Sequence, residues 1–279
     1  LTATEQGLLV ATPLLGGSLF RPVLGMLADQ IGGRRVALLG LAVTLAPLLV
    51  GWKLAHAVWH FYALALLLGI AGASFAVALP LASRWYPPEY QGLAMGIAGA
   101  GNSGSLVATL AAPRLAERFG WATTFGVMIL PVLVVFVLFA LMAKDSPHRR
   151  ERLSRREYAA VLKEPDTLWF SFLYSLTFGG FVGFASFLTT FFHEQYQVSK
   201  VAAGDFTTMV VVAGSLLRPV GGWLSDRVGG YRLLLLVLGG VSGCLMSAAV
   251  LPSLPIVVAV LFVGVGLLGM GNGAVFQLV

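Results

Sequence analysis

The sequence predicts an all-α, multi-pass membrane protein built from two parallel six-helix repeats, with about nine of twelve helices present. Three observations predict it. Apolar residues make up 58% of the chain and charged residues only 11%, too little polar surface for a soluble domain of this size. Apolar stretches of membrane-crossing length follow one another with short joints between them. A segment near the start also recurs, almost intact, near residue 214.

A bilayer core of ~30 Å is crossed by about 20 apolar residues in a helix. Nine stretches meet this, at about 5–28, 36–52, 57–82, 92–113, 122–143, 167–192, 204–225, 231–251 and 255–279. The one long joint, 144–166, carries Lys144, Arg149, Arg150, Arg152, Arg155, Arg156 and Lys163. It divides the chain into an N-terminal bundle (1–143), a basic linker (144–166) and a C-terminal bundle (167–279). With the first span running inward, twelve lysines and arginines fall on inner joints and four on outer ones. Such a bias puts residues 29–35 and 144–166 in the cytoplasm. The net charge of +6 is thereby explained as membrane orientation, and no nucleic-acid partner is expected. Cys244 lies within an apolar run and reads as a packing residue. No nucleophile–base arrangement, phosphate loop or metal-ligand set is visible, so neither an enzyme nor a cofactor is expected.

Residues 17–35 (GSLFRPVLGMLADQIGGRR) and 214–232 (GSLLRPVGGWLSDRVGGYR) share twelve of nineteen residues at an offset of 197, without a gap. A looser pair, 72–79 and 271–278, stands at an offset of 199. Copies separated by an even number of helices are parallel repeats about an axis along the membrane normal. Unmatched spans then place one further helix before residue 1 and two beyond residue 279, as an expectation of a truncated chain.

Each copy of the repeat puts one arginine, Arg21 or Arg218, eight residues before its aspartate, Asp29 or Asp226. At 1.5 Å per residue that is about 12 Å in from the helix end, near the midplane. A charge there costs on the order of 2.5–3.5 kcal/mol and marks function. All twelve acids lie in loops or at span ends. A small anion held between the two arginines, or an acid on a helix outside the chain, would offset their charge. The guanidinium fork suits a planar oxyanion. The glycine-rich stretch 92–104, with Gly96, Gly99, Gly101 and Gly104, fits close helix packing, as do Gly269, Gly271 and Gly273. Asn102 within it could donate to an anion or bond a neighbouring helix.

Both repeats end in a glycine, an aspartate four residues on, then glycine and basic residues. These are Gly25, Asp29, Gly33, Arg34 and Arg35, and Gly222, Asp226, Gly230 and Arg232, with Arg227 beside the second aspartate. The pattern resembles the loop signature of the major facilitator superfamily, with Gln30 departing from it. A structural or gating role on the inner face, without substrate contact, is expected of these residues.

Within that superfamily, GIAGAGNSG and GMGNGAVFQLV, with the two Arg-Pro helices, resemble the nitrate/nitrite porter family. The resemblance implies nitrate bound by Arg21 and Arg218 and sandwiched by Phe75 and Phe276, with Tyr174 as a hydrogen-bond donor. It also implies a monomer in the inner membrane of a bacterium that works by alternating access. No acid or histidine is read as intramembrane, since the acids lie in loops or at span ends and His56, His60, His148 and His193 are placed in loops. Nitrate/nitrite exchange is therefore expected ahead of proton symport. A carrier of formate or oxalate, and a non-transporting anion sensor, stay open as alternatives.

Overall fold

The computed structural model describes residues 2–87, 97–146 and 155–278, and its regular elements are helices. They are α1 (Ala3–Ile31), α2 (Gly33–Lys53), α3 (Val58–Ala73), α4 (Phe75–Ser83), α5 (Gly104–Phe119), α6 (Trp121–Met142), α7 (Arg155–Val161), α8 (Pro165–Tyr174), α9 (Gly180–Tyr196), α10 (Lys200–Val228), α11 (Gly230–Ala249) and α12 (Leu254–Leu278). Local chemistry sets their ends. Thr2 and Glu5 form a capping box at the start of α1, and the Ser199 hydroxyl caps α10. Gly32 and Gly229, equivalent in the repeat, hold φ of 99° and 90° and turn the chain sharply into α2 and α11. A side chain at such angles would be strained.

Among the described residues, eight helices are long and apolar enough to cross a membrane. Two are composite: α3 and α4 form one span interrupted at Ser74, and α8 and α9 form one span interrupted by a π-turn at Ser175–Gly179. The ninth expected stretch, 92–113, falls partly outside the described residues. All six tryptophans (Trp52, Trp59, Trp85, Trp121, Trp169 and Trp223) are exposed and sit at or near span ends. Indole rings gather at the membrane–water boundary. Helix α6 buries none of its residues, and Leu130, Leu141 and Met142 on it are exposed. In water such a surface would aggregate; here it is lipid-facing.

By packing, the chain divides into two compact units. The first comprises Leu1–Tyr86 with Arg114–Arg152, and the second Pro87–Pro113 with Leu153–Val279. Packing thus groups 87–113 with the second unit, whereas chain order counts it in the N-terminal bundle. The reason lies along α10. Gly204 lets the backbone of α5 approach so closely that an added Cβ would meet the Thr109 carbonyl oxygen at 2.8 Å and Pro113 Cγ at 3.0 Å. The Thr109 and Thr208 hydroxyls share a hydrogen bond of 2.7 Å.

Within each unit the repeated helices pack in the same way. In the first, a Cβ on Gly69 would fall 2.5 Å from the backbone nitrogen of Gly17, and α1 and α3 cross at Gly16, Gly17, Gly69 and Gly72. In the second, an added Cβ on Gly221 would sit only 2.0 Å from the Met270 carbonyl oxygen, and one on Gly273 only 2.2 Å from that of Arg218. Gly16–Gly69 recurs as Ala213–Gly266, and Gly17–Gly72 recurs as Gly214–Gly269. Both helices of the pair therefore repeat at 197, which corrects the 199 offset read from sequence. Packing repeats the GxxG spacing of 69–72 and 266–269, so the position equivalent to Phe75 is Asn272, and Phe276 lies one turn beyond it.

Apolar helices in lipid gain from such contact only through close van der Waals fit. Gly221→Ala should therefore lower the melting temperature of the purified protein clearly, by overpacking worth about 1–3 kcal/mol. Gly239→Ala, whose Cβ meets nothing within 4 Å, should leave it unchanged; equal effects would contradict this packing.

Candidate functional site

The second unit surrounds a buried guanidinium. Arg218 lies in mid-α10 and is 2% exposed. Glycine at 273 lets α12 approach its backbone, fixing where the side chain leaves the helix. Its Nη1 donates to the Gly99 carbonyl at 3.1 Å. A Cβ on Gly99 would stand 3.1 Å from that same Nη1, so the glycine makes room for the cation. The Cζ atom lies 5.4 Å from the ring centroid of Phe178, within cation–π range. Phe178 in turn stacks on Tyr174, centroids 5.0 Å apart and planes 11° from parallel.

Tyr174 directly precedes a π-turn, Ser175–Gly179, and Phe178 lies within it. Single π-turns inside α-helices are frequent at functional sites. Thr177 within it is fully buried, and its hydroxyl donates to Asn272 Oδ1 at 3.2 Å. That bond ties the turn to α12, with Gly271 leaving space for the Thr177 methyl: a Cβ there would meet it at 2.8 Å. An amide buried to 1% exposure is costly unless paired, so the Thr177–Asn272 bond helps to fix both helices.

Several expected residues thus come together around Arg218: Tyr174 through Phe178, Gly99 by direct contact, and Gly269 and Gly273 through the α10–α12 crossing, with Gly271 against Thr177. Asn102 is in a 3-10 segment, Ala100–Ser103, that leads into α5, and Phe276 is on α12 four residues after Asn272. The side chains of both, and all of Gly96, lie outside the described residues. At Gly101 and Gly104 an added Cβ would meet nothing within 4 Å. Gly99 instead stands against the Arg218 side chain, and Gly269 and Gly273 stand against the α10 backbone. Phe178 and Thr177 were missed by sequence reasoning. The signal for Phe178 was its four-residue spacing from Tyr174 in a glycine-flanked span.

In the first unit Arg21 is half-buried on α1, four residues past Gly17 at the α1–α3 crossing. Phe75 is half-buried three residues past Gly72, and opens α4 directly after the interruption at Ser74. Since α1 and α3 run parallel, the two residues lie at the same level along their helices.

The α1–α2 loop of the first unit is held by polar contacts. Asp29 pairs with Arg84 at 2.7 Å, and Ser146 donates to the Arg84 carbonyl at 2.8 Å. Gly32 offers no side chain to cap α2. The cap comes instead from Asp145, whose Oδ1 accepts from the Arg34 backbone N–H at 2.9 Å, while Arg34 Nη2 donates to the Ala140 carbonyl at 2.6 Å. A carboxylate at a helix N-terminus meets both its free N–H groups and its dipole. Arg35 is exposed. In the second unit the matching loop differs: Arg227 lies over the Trp223 ring at 4.1 Å, and Asp226 and Arg232 are exposed. Asp145→Ala should cost about 1 kcal/mol of stability, measured as a lower melting temperature, whereas Asp226→Ala should change it little.

A helical bundle with duplicated helix pairs, each carrying a mid-helix arginine, is the architecture of a secondary transporter. The chain matches the Major Facilitator Superfamily over residues 1–279. It is 38% identical to a probable nitrate/nitrite transporter of Mycobacterium tuberculosis, over 99% of this chain and 71% of that protein. It is 34% identical to a nitrite extrusion protein of Bacillus subtilis, over 100% of this chain and 70% of that one. The crystal structure of the human organic anion transporter MFSD10 superposes with a TM-score of 0.77 at 16% identity, covering 98% of this chain and 70% of that one; this likeness shows the fold. The chain is a major facilitator superfamily protein, and it belongs to the nitrate/nitrite porter family of that superfamily.

Proposed function

We propose that this protein carries nitrate and nitrite across the cytoplasmic membrane of a bacterium by alternating access, with the anion bound by Arg218 and Arg21. The observation that carries the reading is the buried Arg218, set on backbone carbonyl and aromatic ring. Such surroundings keep a guanidinium desolvated and oriented, and a planar oxyanion can accept from its fork in two parallel bonds. The repeat supplies the second cation, Arg21, at the equivalent level of the first unit. Phe75, Phe276, Tyr174 and Asn102 complete the proposed site. The names of the two bacterial relatives support the choice of anion.

Substrate binding offsets the two positive charges and allows the two six-helix halves to rock around the site, while an empty site resists the change. A carrier of this kind exchanges one anion for another. None of the described histidines and acids is placed in mid-span as a proton carrier would be; His193, for one, sits at the end of α9, its Nδ1 2.7 Å from the Val198 carbonyl oxygen. The protein acts as a monomer, with residues 29–35 and 144–166 cytoplasmic.

Transport by the full chain in proteoliposomes tests this. Arg218→Lys should lower nitrate uptake by about tenfold or more, since a point charge cannot replace a bidentate fork. Excess nitrite should compete with nitrate and excess formate should not. Uptake indifferent to nitrite, or normal affinity with lysine at 218, would contradict the proposal. For the exchange mechanism, liposomes preloaded with nitrite should take up nitrate several-fold faster than empty ones, and an imposed pH gradient alone should give no acceleration.

A further inference from the structure

Ser215 stands one helical turn before Arg218 on α10 and is 3% exposed. Its hydroxyl oxygen is buried and has no hydrogen-bond partner among the described residues. That is unusual in this molecule. A serine or threonine in a helix commonly donates to the carbonyl four residues back, as Thr207, Thr208, Ser242 and Ser247 do here. The comparison within the repeat is sharper. Ser18 is the same residue in the first copy, and it donates to the Leu14 carbonyl at 2.9 Å. Ser215 makes no such bond to Val211. A buried hydroxyl left unpaired costs free energy, and a native structure rarely keeps one without a use.

Its position along α10 follows from the helix packed beside it. The segment 97–113 runs antiparallel to α10, and three contacts fix the register: Gly204 with Pro113, Thr208 with Thr109, and Arg218 with Gly99. Thr208 and Arg218 are ten residues apart, as are Gly99 and Thr109. The same register sets Ser215 level with Asn102, in the 3-10 segment. Pro219 adds a further polar feature, because it cannot supply the N–H that the Ser215 carbonyl would receive in a regular helix. Ser215 is therefore a buried, uncommitted donor, one turn from the guanidinium and level with the glycine-rich segment.

We propose that the Ser215 hydroxyl is a further binding residue, donating a hydrogen bond to the oxyanion held by Arg218. This rests on the reading of Arg218 as an anion ligand. The hydroxyl favours anions with an oxygen lone pair directed at it, and penalises anions that leave it unpaired. Its partner in the repeat, Ser18, is committed to its own helix, so the proposed contact is specific to the second unit.

Nitrate binding to the purified full chain, measured by calorimetry, tests the proposal. Threonine and valine are alike in size and branching and differ in the hydroxyl. Ser215→Thr should stay within about threefold of the parent affinity, and Ser215→Val should lose about tenfold, as should the smaller Ser215→Ala. Ligand-free melting temperatures of the threonine and valine variants should agree. If alanine binds as the parent does, or if threonine and valine bind alike, the hydroxyl is no ligand and the proposal is overturned. Should Arg218→Lys still weaken binding in that case, the reading of Arg218 survives. If the parent chain binds no nitrate, both fall together.

Discussion

Two apolar helices in lipid gain little by hiding their side chains from one another, because the lipid tails around them are just as apolar. What holds them is contact close enough for dispersion, and in this chain that contact is made backbone to backbone. Helices α10 and α12 meet at Gly214, Gly221, Gly269 and Gly273, where a single added methyl would overlap the facing backbone. The same crossing is made by α1 and α3. Most other features of the second unit depend on it. It fixes the backbone of Arg218, brings Asn272 to the Thr177 hydroxyl, and sets the rotation of α10 that buries the guanidinium.

The two copies of the repeat share this crossing but use it differently. Arg218 is buried with a carbonyl and an aromatic ring beside it, while Arg21 is half-buried. Ser18 satisfies its own helix, and Ser215 does not. At the ends of α1 and α10, Asp29 pairs with Arg84, whereas Arg227 lies over Trp223. Duplication supplied two similar helix pairs, and local substitutions around them divided the labour. The composite spans belong to the same division. Phe75 follows the interruption at Ser74, and Tyr174 precedes the π-turn. Both are places where the regular ladder gives way and a side chain can be re-aimed.

Much of this was legible in the sequence for a physical reason. Membrane spans are read from composition because lipid demands it, and a repeat can be read because its copies keep the same packing. The spans and the repeated helix pair were visible in that way. Other features were not, because they depend on residues far apart in the chain. Asp145 caps α2 across 111 residues, and nothing in its basic surroundings marks it as a cap. Phe178 joins the site through the Arg218 guanidinium, which is carried by a different span. The 199 offset looked reasonable as a string match, but the crossing at Gly17–Gly72 and Gly214–Gly269 shows that the helices repeat at 197. Ser215 could not be told from Ser18 by sequence at all, since both follow the same glycine and precede the same Leu-x-Arg-Pro.

The central claim is that the guanidinium of Arg218 is an anion ligand rather than a structural cation. A crystal structure of the full chain grown in nitrate addresses it most directly. The account predicts planar, three-oxygen density with oxygens about 2.7–2.9 Å from the Arg218 nitrogens. Nitrate density bound elsewhere, with Arg218 paired to a carboxylate of the protein, would contradict it.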